Sequence, residues 1–108
     1  MSRVRCVCLN DSDKPKEIPA SKWVTKDEMY HIIHVYVHPN QGGVQGVDLS
    51  ELELDESCKP FETYRLNRFA ILAEDLAKFI ALLKHCSSLE EDGVDVNSFV
   101  ESLNLELV

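Results

Sequence analysis

Met29-Tyr-His-Ile-Ile-His-Val-Tyr-Val-His38 holds three of the chain's four histidines, and its periodicity decides whether they form one site. On a helix, His31, His34 and His38 line one face at i, i+3 and i+7, a workable arrangement for a metal. Ile, Val and Tyr fill five of positions 31–38, however, and Pro39 follows at once, so the run reads as a strand. Strand parity places His31 with Met29, Ile33, Val35 and Val37 on one face, and His34, Tyr36 and His38 on the other. His34 and His38 then stand about 13 Å apart at the usual rise per residue. Zinc needs its ligand atoms within about 2.0–2.3 Å of one ion. A metal site at His34 or His38 would therefore need a cysteine or carboxylate from a neighbouring strand, and no metal or other cofactor is expected.

Reading outward, Pro39-Asn40 ends the strand and Gln41-Gly-Gly43 signals a hairpin, because glycine tolerates the positive φ of tight turns. The returning stretch from Val44 to Leu54 changes phase between Leu49 and Leu52, which predicts a bulge or bend there. Upstream, Arg3-Val-Arg-Cys-Val-Cys-Leu9 alternates as a first strand, with Val4, Cys6 and Cys8 on one face. Asn10 to Pro19 concentrates turn residues and two prolines, an irregular excursion anchored by Ile18 and Trp23. Phe61-Glu-Thr-Tyr-Arg-Leu66 reads as the last strand. The period then lengthens to that of a helix: Phe69, Leu72, Leu76, Phe79, Ile80 and Leu83 form one stripe, predicting an amphipathic helix over 73–85. Asp95 is positioned to cap a second helix bearing Val96, Phe99, Val100 and Leu103.

Cys8-Leu-Asn-Asp11, Glu17-Ile-Pro19, Lys22-Trp-Val24, the strand start around Tyr30, Gly46-Val47, Leu49 and Tyr64-Arg-Leu-Asn-Arg-Phe69 together resemble a family of short uncharacterised proteins of gut bacteria and their phages. The resemblance covers roughly residues 4–72. It implies a small five-stranded SH3-like β-barrel, with Asn10 to Pro19 as the long first loop and Lys26-Asp27-Glu28 as the diverging turn. Relatives often carry Gly where this chain has Asp27. The family brings no assigned activity or catalytic residue. The expected fold is thus mainly β with C-terminal helices (α+β): a barrel over 1–72 and a helical appendage over 73–108, packed as part of one domain.

The 108 residues match one ordinary domain, and 44% hydrophobic with 28% charged residues is a globular composition. No membrane span or export signal is visible, so Cys6, Cys8, Cys58 and Cys86 read as reduced thiols and the expected compartment is the cytoplasm. The net charge of −8 is concentrated late, with eight acidic against two basic residues over 73–108. That surplus works against nucleic-acid binding, which needs cations to displace counterions from phosphates. A nucleic-acid-binding barrel would have to gather Arg3, Arg5, Lys14, Lys16 and Lys22 on one face.

Chemistry-bearing patterns are few. Cys6-Val-Cys8 lacks zinc-knuckle spacing, and a composite site would have to recruit Cys58 or His85. His85 and Cys86 are adjacent on a predicted helix and point about 100° apart, unsuited to a nucleophile–base pair. No phosphate loop, dinucleotide fingerprint or His-Glu-x-x-His motif occurs. The most informative polar stretch is Tyr64-Arg-Leu-Asn-Arg-Phe69. Arg65 and Arg68, with Trp23, Tyr36 and Tyr64, form the candidate partner-binding set, since aromatic and guanidinium groups dominate interface hot spots. The competing reading pairs these arginines with Glu51, Glu53 or Glu62. The sequence therefore predicts a non-enzymatic protein-interaction module. The run of Val96, Phe99, Val100, Leu103, Leu105 and Leu107 suggests a homodimer through the C-terminal segment.

Overall fold

A computed structural model describes residues 3–38, 44–59, 61–84, 100 and 105–108. Its framework is one six-stranded sheet: β1 (Val4–Cys8), β2 (Met29–His38), β3 (Val44–Leu49), β4 (Tyr64–Arg65), β5 (Phe69–Ile71) and β6 (Glu106–Leu107). The spatial order is β4-β3-β2-β1-β5-β6. Every neighbouring pair is antiparallel except β5–β6, which is parallel. The sheet curls into a half-barrel, and one helix, α1 (Leu76–Lys84), packs against it. The fold is therefore mainly β with some helix. Six strands stand where five were expected, and the sixth comes from the C-terminus.

The alternation in β1 works as the sequence implied: Val4, Cys6 and Cys8 are fully buried. The long central strand does not follow simple parity. Its register against β3 shifts between Ile32 and His34, so Ile33 is an extra residue on β2. Tyr30 and Ile32 are buried before the bulge and Val35 after it, which reverses the inward parity within one strand. Met29 and His31 are consequently directed away from the core, as are His34 and Tyr36 beyond the bulge. The expected separation of His31 from His34 by parity is thus overturned, while the bend predicted between Leu49 and Leu52 is present at Ser50 and Glu51, where β3 ends.

The stretch read as one last strand is divided. Tyr64–Arg65 pairs with Val47 and Gly46, a 3-10 turn follows over Leu66–Arg68, and the chain re-enters the sheet as β5. Phe69, Ala70 and Ile71 are all buried, so β5 has no alternation to reveal it; Phe69 belongs to this strand and not to the helical stripe. The helix begins with a 3-10 turn over Ala73–Asp75 and buries Phe79 and Leu83 completely, close to the expected 73–85. Of the second predicted helix only Val100 is described. It is helical and, like Leu105, packs against the core, while Leu107 is exposed on β6. Val96, Phe99 and Leu103, on which the dimer expectation also rests, lie outside the described residues, as do His85 and Cys86.

One buried charge fastens the sheet to the helix. Asp75 is 2% exposed, and its carboxylate accepts the Arg5 backbone N–H, Nε and Nη2, each at 2.9 Å. The hydrogen bonds from Arg5 hold the Asp75 carboxyl well below the usual carboxylate range. Among the described residues, no helix is long and apolar enough to cross a membrane.

Candidate functional site

The first loop is shaped by its own polar groups and then stitched to the 3-10 turn before β5. Asn10 Oδ1 accepts the Ser12 N–H at 2.8 Å and its hydroxyl at 2.5 Å, closing an Asx-type turn. Ile18, 1% exposed, pins the far end of the loop in the core. Arg68 Nη1 donates to the carbonyls of Ser12 at 2.8 Å and Asn10 at 3.2 Å, and the Arg68 carbonyl accepts the Leu9 N–H at 2.7 Å. The same guanidinium lies 4.8 Å from the Trp23 ring centroid, within cation–π range. Trp23 Nε1 donates to the Asp11 carbonyl at 2.7 Å.

Tyr64 completes this corner. Its ring is 6.1 Å from that of Trp23, and its hydroxyl donates to the Lys22 carbonyl at 2.6 Å. Burial raises the Tyr64 phenol above its ordinary range, so it stays a donor. Gly46 makes the adjoining strand pairing feasible: a Cβ there would sit 2.2 Å from Thr63 Oγ1, closer than any side chain tolerates. The turn at Lys26-Asp27 holds Asp27 at φ 71°, in the left-handed region, its N–H donating to the Cys8 carbonyl at 2.8 Å.

Between the first loop, the 50–54 stretch and the 61–68 segment runs a groove of about 1640 Å³. Trp23, Tyr36, Tyr64, Arg65 and Arg68, the five candidates from the sequence, all line it. They differ in how they are held. Arg65 is exposed and makes no hydrogen bond or ion pair with other described residues, whereas Arg68 is a staple of the loop. The carboxylates proposed as partners for these arginines are otherwise disposed. Glu51 accepts the His31 N–H at 2.9 Å and lies 2.5 Å from its ring Nδ1. Desolvation alone would raise the Glu51 pKa, but hydrogen bonds from His31, Ser50 and its own backbone together outweigh it and hold the carboxyl below its usual range. Glu53 and Glu62 are exposed on the groove without a hydrogen bond or ion pair to other described residues.

Tyr36, 38% exposed, donates its hydroxyl to Asp48 Oδ2 at 2.8 Å, with the His34 ring packed edge-on at 4.4 Å. Desolvation and then that hydrogen bond push the Tyr36 phenol up to about 12. The sequence reading named Glu51, Glu53 and Glu62 only as arginine partners and missed that, with Asp48, they line one groove as an acidic wall. The trace of this wall was the alternation Glu51-Leu-Glu-Leu54, which sends the leucines toward the core and the carboxylates outward.

The other candidates are dispersed. Of the basic residues proposed for nucleic acid, Arg5 is bound to Asp75 and Glu74, Lys22 to Asp55, and Lys14 Nζ to the Ile18 carbonyl at 2.6 Å. Burial pushes the Cys6 thiol up to about 12 and raises Cys8 as well, so both act as small apolar core residues. Among the described residues, no three His, Cys, Asp or Glu side chains gather as a metal would require. No family model, curated protein or solved structure matches this chain.

Proposed function

We propose that this chain is a non-enzymatic protein-interaction module, an SH3-like half-barrel whose groove beside Trp23 receives a segment of another protein. The observation that carries the reading is the convergence of all five aromatic and guanidinium candidates on one groove of about 1640 Å³. Pockets for small molecules are commonly about 300–1,000 Å³. A longer, partly open trough lined by Trp, Tyr and Arg suits a chain segment better, since these residues supply most of the energy in protein interfaces. The trough also stands on rigid support: the Arg68 staple, the Tyr64 hydroxyl bond and buried Ile18 fix its walls before any partner arrives.

The test is affinity capture from the native host with the wild-type chain and with Tyr36→Ala/Arg65→Ala, which truncates the exposed aromatic and guanidinium contacts without adding charge. Both side chains are exposed, so the double variant should keep its melting temperature and lose the captured partner. Capture of the same partner in the same amount by the double variant would refute the reading. Arg68→Ala is unsuitable as the sole probe, because it also releases the first loop.

A further inference from the structure

We propose that the occupant of the groove is an extended cationic segment, one whose lysines or arginines lie against the acidic wall while intervening apolar side chains reach the aromatic corner. This deepens the interaction reading above and rests on it. Six acidic side chains line the groove against three basic ones. Arg68 is held in place by its Nη1 bonds to the carbonyls of Asn10 and Ser12, so its charge stays against the first loop. Glu53 and Glu62, by contrast, are exposed and unengaged by other described residues, and Asp48, which also lines the groove, accepts the Tyr36 hydroxyl.

The complementary apolar element is supplied by Trp23 and Tyr64, whose rings are tilted against each other in the groove lining. A cationic chain matches both features at once, whereas an acidic segment would set its carboxylates against Asp48, Glu53 and Glu62. Like charges brought together at an interface are strongly disfavoured.

Trp23 is the chain's one tryptophan and lies in the groove wall, so its emission reports occupancy directly. The experiment uses three short dye-labelled peptides with the same leucine spacing, filled respectively with lysine and arginine, with glutamate, and with serine. Anisotropy of the dye and Trp23 emission are followed together. The cationic peptide should bind saturably and shift Trp23 emission, weakening as salt rises. Glu53→Gln/Glu62→Gln should weaken it roughly threefold to tenfold without changing the melting temperature. Equal or tighter binding of the glutamate or serine peptide would overturn the cationic assignment while leaving the groove as a docking site. Silence from all three peptides, or an unchanged affinity in the double variant, would also overturn it. The Tyr36→Ala/Arg65→Ala capture experiment judges the broader reading separately.

Discussion

The two sides of this sheet handle carboxylates in opposite ways. Where α1 closes against β1 and β2, Asp75 is buried and receives three donors from Arg5, so its charge is spent on holding sheet to helix. Along the groove, Glu53 and Glu62 stand in water with no such partner among the described residues. Buried charge persists only when paired, while exposed charge costs the fold little and remains available to an incoming molecule. Stability and recognition should accordingly be separable by mutation, the first residing in the closed side and the second in the trough.

The sharpest way to break that division is on the closed side. Phe79 is fully buried between helix and sheet, so Phe79→Ala should lose about 3–5 kcal/mol, a large part of the total for a domain of this size, in urea denaturation. Asp75→Asn should lower the melting temperature by roughly 10 °C at neutral pH. Its pH dependence follows from the sign of the shift. The folded carboxyl titrates below its unfolded value, so its contribution is complete above about pH 5 and declines as acid protonates it. Wild-type stability should therefore fall more steeply than that of Asp75→Asn when pH drops below about 4.

The trough side should respond more mildly. Gly46→Ala forces Thr63 away from β3 and should cost about 1–3 kcal/mol, with loss of partner binding because β4 and the groove wall move together. Tyr64→Phe removes one part-buried hydrogen bond to the Lys22 carbonyl, worth about 1 kcal/mol by thermal denaturation. Asp27→Val, which puts a β-branched residue at φ 71°, should cost about 1–2 kcal/mol, whereas Asp27→Gly should be neutral or slightly stabilising.

The parts legible in the sequence are those where periodicity and burial coincide. Val4, Cys6 and Cys8 alternate into the core, and Phe79 and Leu83 recur at helical spacing and are buried. The bulge at Ile33 was not legible because the adjacent isoleucines of His31-Ile-Ile-His34 are the same residue type, so either parity can be assigned to the run. That single residue moved His31 to the outward side, where it meets Glu51. β5 was hidden because three consecutive buried residues carry no period, and β6 because its partner lies far away in sequence. At the groove, the aromatic and guanidinium set was readable by residue type. The distinct roles of Arg65 and Arg68 were not, since they depend on where the backbone of Asn10 and Ser12 passes.

The division between a fastened side and a receptive trough is tested most directly by hydrogen–deuterium exchange on the wild-type chain with and without its captured partner. Protection added across 46–54 and 61–65, with α1 and β6 unchanged, is the expected footprint. Protection confined to α1 and β6, with the groove exchanging as before, would place the interface on the closed side and refute the proposed division.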